Sequence, residues 1–155
     1  MGYRILAGLG RIAISLVFVV LGVSAMFHWD MAKGDLTTAL GNWEMYAGHI
    51  DGASVVFQYL SAAVPVLVAL GIAFQIAGGI LVGLSLRVRM GACIMFLQIV
   101  CATLIYYPFW FLDEPAMART LVLFLKNLSI IGGLLVIMAT GSGVTIGNSS
   151  KGKTS

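Results

Sequence analysis

Four long apolar runs constrain this chain more than any other feature of its sequence. They cover residues 5–27, 65–86, 90–107 and 116–140. About 20 apolar residues in a helix, at about 1.5 Å of rise each, cross a hydrocarbon core about 30 Å thick. The chain is 60% hydrophobic and only 10% charged, which leaves too little polar surface for a soluble domain. The sequence therefore predicts an all-α polytopic membrane protein, with residues 1–140 forming a four-transmembrane-helix bundle.

The distribution of charge along the chain predicts how the bundle is oriented. Basic residues lie at the N-terminus, in the loop between spans two and three, and in the C-terminal tail: Arg4, Arg11, Arg87, Arg89, Lys151 and Lys153. The acidic residues all fall on the other side, with only Lys33 and Arg119 as basic residues among them: Asp30, Asp35, Glu44, Asp51, Asp113 and Glu114. Short basic loops mark the cytoplasmic side. We therefore expect a multi-pass protein of the cell inner (plasma) membrane with cytoplasmic N- and C-termini, a disordered cytoplasmic tail over residues 141–155, and no nucleic-acid partner.

The first apolar run also resembles a signal peptide, because it follows Arg4 and Arg11. It is longer than the apolar region of a signal peptide usually is. We interpret it as a retained first span.

The longest loop, residues 28–61, contains a helical stripe of apolar residues between about 36 and 48. Trp43 and Tyr46 lie in this stripe and suit a helix on the outer membrane surface. The pattern predicts an interfacial helix in the first outer loop. It is compatible with a simple membrane anchor and with a lid over a pocket between the spans.

Span four carries the residues that are most expensive to place in a membrane. A lysine at the centre of a span costs about 2.5–3.5 kcal/mol on insertion scales. Arg119, Lys126 and Gly133 recur every seven residues and so share a helix face. We expect Lys126 to point into the bundle and to form, with Asn127, the polar floor of a ligand site that opens outward. The alternative is a lysine that extends to the outer surface with nothing bound.

Two further residues are candidates for the same site. Gln75 lies near the middle of span two, and Trp110 belongs to the aromatic segment 106–111 that follows span three. Interfacial anchoring explains most such aromatic segments. The alternative is that this one walls a site for a flat apolar ligand.

Glycines in spans two and four predict close helix packing. They are Gly78, Gly79, Gly83, Gly132 and Gly133. Small residues let helix backbones approach in a membrane. The pairs Gly78-Gly79 and Gly132-Gly133 begin two similar pentapeptides, GGILV and GGLLV. We expect spans two and four to pack against each other through these pairs.

No motif in the sequence predicts catalysis or a metal site. His28 and His49 lie in the long loop, where no spacing pairs either with a nucleophile or a ligand. Cys93 and Cys101 lie eight residues apart in span three, about 12 Å along a helix, which is too far for a disulfide. We therefore favour a non-catalytic subunit over an independent enzyme.

Several segments together resemble the DoxX-like family. The fourth span contains FLKNLSIIGGLL at residues 124–135, which resembles that family's fourth-span signature. GGILVGL at residues 78–84, followed by Arg87 or Arg89 and by Gly91-Ala92, resembles the segment between its second and third spans. Gly10-Arg11 with Gly22-Val23-Ser24 resembles its first span.

This resemblance implies a four-helix bacterial inner-membrane subunit of a redox or stress-response complex, with a quinone or similar ligand as cofactor. It implies other membrane or redox subunits, or copies of the chain itself, as partners within the lipid bilayer. Gln75 stands where the family often has glutamate, and Ala25 where it often has lysine. Two other functions fit the residues: a small-solute or anion transport or binding protein, and a structural membrane assembly factor without a ligand.

Overall fold

The computed structural model describes residues 2–141, and in this range every regular element is helical. The elements are α1 (Gly2–Phe27), α2 (Trp29–Ala47), α3 (Ala53–Ala62), α4 (Val64–Gly83), α5 (Val88–Tyr106), a 3₁₀ turn (Phe109–Phe111) and α6 (Ala116–Thr140). The predicted disordered tail, apart from Gly141, lies outside the described residues.

Four segments are long and apolar enough to cross a membrane. They are Leu6–Phe27, Val64–Gly83, Val88–Phe111 and Ala116–Thr140. The predicted all-α polytopic bundle is confirmed. The chain is a multi-pass membrane protein.

The long first loop contains two helices, where the sequence predicted one. The predicted interfacial helix is α2, but it begins at Trp29 and so follows α1 almost directly. His28 makes the break, and its Nδ1 lies 2.9 Å from the carbonyl oxygen of Ser24. Asp35 lies inside α2. The second helix, α3, has only ten residues, too few to span a bilayer, and the sequence analysis did not predict it.

Each span packs mainly against the next one in the chain. α4 lies between α1 and α5, and α5 lies between α4 and α6, whereas α1 and α6 touch over a short stretch. The bundle is therefore open along the α1–α6 side. We call the end with Arg11, Arg87, Arg89 and Gly141 the basic end. The opposite end, with α2, α3 and the 3₁₀ turn, is the acidic end.

Two apolar cores occupy the two ends of the bundle. At the basic end, all four spans contribute buried side chains: Phe18, Val82, Val88, Ala92, Met95, Ile99, Leu134 and Ile137. At the acidic end, α2 contributes Leu36 and Leu40, which pack on Val64, Val68 and Ile72 of α4. α6 contributes to the first core and not to the second. α6 therefore shares a buried apolar core with the other three spans only at the basic end.

The glycines of α4 allow the close contacts of this helix with its neighbours. A Cβ at Gly79 would lie 2.7 Å from Val19 Cγ2 and 3.1 Å from the carbonyl oxygen of Ser15, both in α1. A Cβ at Gly78 would lie 2.6 Å from Met95 Cγ in α5. Gly83 faces Ser15 as well. The expected pairing of spans two and four through their glycines is therefore wrong, because the α4 glycines face α1 and α5.

The two glycines of α6 differ from each other. A Cβ at Gly133 would lie 3.0 Å from Ile14 Cδ1 in α1. Gly132 has no atom of another element within 4 Å of its Cβ position and is exposed. Only Gly133 therefore lies at a described helix contact.

A cluster of aromatic rings holds α2 against the end of α5. The Trp43 indole contacts Phe111 edge-on at 5.4 Å between centroids, and Tyr46 stacks on Phe111 at 4.5 Å. Trp43 Nε1 also donates a hydrogen bond to the carbonyl oxygen of Ile105, at 3.1 Å. That carbonyl belongs to the last turn of α5, where intrahelical partners are missing.

We expect Trp43→Phe to loosen α2 because it removes this hydrogen bond and keeps most of the ring. The loss should be about 1 kcal/mol, or about 2–4 °C in the midpoint of thermal unfolding in detergent. Trp110→Phe is the matched control, since no hydrogen bond of the Trp110 indole occurs among the described residues. Equal melting of the two variants would show that the bond to Ile105 contributes nothing.

Candidate functional site

The structure separates the predicted site residues instead of bringing them together. Lys126 and Arg119 are exposed on the surface of α6, whereas Asn127 is partly buried. Adjacent residues differ by about 100° around a helix, so Lys126 and Asn127 cannot share one surface. The expectation that Lys126 points into the bundle is wrong for the single chain.

Asn127 and Gln75 belong to polar contacts between spans. Asn127 Nδ2 donates to Thr103 Oγ1 at 3.0 Å, joining α6 to α5. Gln98 Nε2 donates to the carbonyl oxygen of Gly71 at 3.0 Å and lies 3.4 Å from Gln75 Oε1, joining α5 to α4. Gln98 Oε1 is buried and has no hydrogen-bond partner among the described residues. These side chains tie neighbouring spans together.

Trp110 makes its described ring contacts with other aromatic residues, and not with Lys126, Arg119 or the polar residues between the spans. Its indole is 43% exposed and packs edge-on against Trp43 and Phe124. It therefore belongs to the aromatic cluster that holds α2.

Lys126 does face a defined part of the molecule, namely the side of α6 on which α1 lies. Residues seven apart fall within about 20° of each other around a helix. Gly133 contacts Ile14 of α1, and Lys126 and Arg119 lie seven and fourteen residues before it. The two basic side chains therefore continue, toward the acidic end, the face that contacts α1.

α1 presents a matching series. Leu21 and His28 lie seven and fourteen residues after Ile14, and α1 and α6 run in opposite directions. With Ile14 against Gly133, the equal spacing places Leu21 at the level of Lys126 and His28 at the level of Arg119, to within about one turn. At these levels the helices no longer touch, since the α1–α6 contact is confined to a short stretch.

A cavity lies where α1 leaves α6. It has a volume of about 340 Å³, and its lining comes from α1 and α2: Leu21, Ser24, Ala25, His28, Met31, Ala32 and Asp35. Buried Phe18 lies one turn below Leu21 on α1, at the top of the basic-end core. We call this cavity, together with the facing side of α6 at Lys126 and Arg119, the α1–α6 cleft.

The cleft combines an apolar wall with charged groups of both signs. Leu21, Ala25 and Ala32 supply hydrocarbon. Asp35 of the lining is exposed, as are Lys126 and Arg119, which the helical spacing places on the side of α6 that faces α1. Asp30, outside the lining, pairs with Lys33 at 2.9 Å. The arrangement suits a molecule with an apolar part and a charged head.

The described residues contain no group of three His, Cys, Asp or Glu side chains that could hold a metal ion. Binding in the cleft would therefore rely on hydrocarbon contacts, hydrogen bonds and the charges of single side chains.

The α1 and α2 residues of the cleft were not predicted from the sequence. His28 and Asp35 were assigned to a loop, where nothing connected them with span four. A usable signal was present, because Ile14, Leu21 and His28 repeat at the same interval as Gly133, Lys126 and Arg119. Two facing heptad series of this kind indicate a shared contact line between two helices.

Comparison with known proteins identifies a family. The model of the SURF4 family matches residues 45–153, which is more than half of the chain. No curated protein and no solved structure matches the chain.

The resemblance to the DoxX-like family is therefore wrong, since the matching family is a different one. The motifs that suggested it are short, apolar and rich in glycine, and the close contacts of membrane helices select such sequences in many families. The redox complex and the quinone rested on that resemblance and lose their support with it. The chain is a membrane protein that belongs to the SURF4 family.

Proposed function

We propose that this protein is a non-catalytic, membrane-embedded binding protein that holds an amphipathic molecule with an acidic head group in the α1–α6 cleft. The observation that carries the proposal is the position of Lys126. Its side chain is exposed, lies in the middle of a span, and faces the part of α1 that lines the cavity.

The cost of Lys126 supports a charged partner. A lysine at the centre of a span is unfavourable by about 2.5–3.5 kcal/mol, and an acidic group near the ammonium offsets such a cost. The described residues form one ion pair, Lys33 with Asp30, so their carboxylates do not neutralise Lys126 directly. A bound carboxylate or phosphate head would do so.

The rest of the cleft fits the apolar part of such a molecule. Ligand pockets usually measure about 300–1,000 Å³, and this cavity, at about 340 Å³, would hold a head group and the first part of an acyl chain. The remainder of the chain would lie in the bilayer, because the α1–α6 side of the bundle is open. Arg119, nearer the acidic end, would attract the head group before it reaches Lys126.

The test compares oleate with oleyl alcohol, which has the same tail and no charge. We expect oleate to raise the unfolding temperature of the purified chain more than the alcohol does. Lys126→Met keeps the side-chain length and removes the charge, so it should weaken oleate binding about tenfold or more. Leu128→Met, about 200° around α6 from Lys126 and exposed, is the matched control and should bind oleate normally. Equal effects of acid and alcohol on the unaltered chain, or normal oleate binding by Lys126→Met, would refute the proposal.

A second candidate is a subunit interface along α6. This helix is the least buried of the four spans, with 11% of its most apolar window buried. A partner helix could cover Lys126 in place of a ligand. In that case Lys126→Met would change the oligomeric mass in native mass spectrometry, and oleate would have no effect on either form.

We further propose that the basic end faces the cytoplasm. Arg87 directly precedes α5, Arg89 lies in its first turn, and both are exposed, which fits the positive-inside rule. The α1–α6 cleft would then open toward the outer leaflet.

A further inference from the structure

Two arginines from different spans meet at the end of α6. Arg11 of α1 is only 9% exposed, and its guanidinium donates a hydrogen bond to the carbonyl oxygen of Gly141. Arg89 of α5 lies against the same glycine. A Cβ at Gly141 would lie 2.8 Å from Arg89 Nε and 3.4 Å from Arg89 Cζ. Gly141 thus sits between two positive charges.

The backbone of Gly141 makes this arrangement possible. Its φ is +60° and its ψ is −156°, a region of backbone conformation that is essentially restricted to glycine. The residue is buried, and a side chain there would displace Arg89. The end of α6 is therefore shaped so that both guanidinium groups approach one backbone unit.

The acidic side chains of the chain lie far from this point in the sequence. The C-terminus of a helix carries the equivalent of about half a negative charge. Three guanidinium groups lie at this end of the bundle: those of Arg11, Arg89 and Arg87, which is two residues from Arg89. All six Asp and Glu side chains of the sequence lie at positions 30–51 and 113–114, at the acidic end. The side chains at the basic end are therefore of one sign, and exposed Arg87 and Arg89 are accessible to an anion.

We propose that Arg89, supported by Arg11 and Arg87, binds a phosphate group at the basic end, where α6 ends at head-group depth. The planar guanidinium donates parallel hydrogen bonds to two phosphate oxygens, which an ammonium cannot do. Arg89 is exposed, so its side chain is accessible to a phosphate group at this end. Buried Arg11 adds charge and fixes Gly141. The phosphate belongs either to a lipid head group or to a free ion, and the site is distinct from the α1–α6 cleft at the other end.

The experiment measures binding of dioctanoyl phosphatidic acid, dioctanoylglycerol and inorganic phosphate to the purified full chain by thermal shift and native mass spectrometry. It is run in the Lys126→Met background as well, so that binding at the cleft is separated from binding at the basic end. We expect phosphatidic acid to bind and the phosphate-free lipid not to. Arg89→Gln should weaken binding about tenfold or more. Arg89→Lys should recover only part of it, because it restores the charge without the fork.

Lys33→Gln at the acidic end removes one positive charge elsewhere and should leave phosphatidic acid binding unchanged. Inorganic phosphate that binds as tightly as the lipid, and is lost in Arg89→Gln, identifies a free-phosphate site. Binding of the lipid alone identifies a head-group site. Equal binding of phosphatidic acid and dioctanoylglycerol, or unchanged binding in Arg89→Gln, would overturn the proposal without affecting that for the cleft.

Discussion

Gly79→Leu is expected to destabilise the protein by about 3 kcal/mol, near the upper end for an overpacked core. The α1–α4 contact is the most extensive between any two elements described, and Gly79 lies at its centre. Its Cβ position is 2.7 Å from Val19 Cγ2 and 3.1 Å from the carbonyl oxygen of Ser15. Val19 can rotate, but the Ser15 backbone cannot move without shifting α1. The two helices must therefore separate to accommodate the leucine.

The measurement is thermal unfolding in detergent, where about 3 kcal/mol corresponds to a drop of about 6–12 °C. Gly132→Leu is the matched control, because the Gly132 Cβ position has no neighbour within 4 Å. This control should melt at or slightly above the original temperature, since leucine favours the helix over glycine by up to about 1 kcal/mol. If both variants melted alike, the close α1–α4 contact would be absent in solution.

The spans were predictable because membrane insertion depends on local sequence. Length and apolarity decide whether a segment such as 116–140 crosses a bilayer, and α6 matches that range. α3 was not predictable in this way. Its ten residues are apolar but too short to span, and a short apolar run does not distinguish a helix from other structures.

Helix neighbours were less accessible to sequence reasoning than the helices themselves. The glycine pentapeptides of α4 and α6 are similar, yet Gly79 faces α1 and Gly78 faces α5. A glycine in a span indicates that a neighbouring helix comes close, but it does not indicate which helix that is. The partner depends on the order in which the spans pack.

Lys126 illustrates the same limit at the candidate site. Its seven-residue spacing from Gly133 correctly placed the two residues on one face. The prediction that this face points into the bundle interior failed because α6 contacts α1 only at the basic end. At Lys126 the same face borders the open cleft. The opposite wall, with His28 and Asp35, comes from α1 and α2, which no local motif links to span four.

Arg11→Met should destabilise the bundle by about 2 kcal/mol, because it removes a charged hydrogen bond between α1 and α6. These two spans touch over only a short stretch, which we call the α1–α6 seam. Hydrogen bonds to charged groups contribute about 1.5–3 kcal/mol. This bond joins the first span to the last, 130 residues apart in sequence, at the end where α1 and α6 are closed. Without it, the carbonyl oxygen of Gly141 loses its donor, and the seam is held there mainly by the apolar contacts around Ile14 and Phe18.

The expected result in detergent is a fall in unfolding temperature of about 4–8 °C, with Arg11→Lys intermediate because it restores the charge on a single nitrogen without the planar guanidinium. Arg87→Met is the control. Arg87 is also basic and lies at the same end, but it is exposed and makes no side-chain capping bond, so its loss should change the melting by less than 2 °C. Loss of the Arg11 bond should open the seam from the basic end, and cysteine pairs placed at Ile14 and Gly133 should then crosslink more slowly. Unchanged crosslinking in Arg11→Met would mean that apolar packing alone closes α1 against α6.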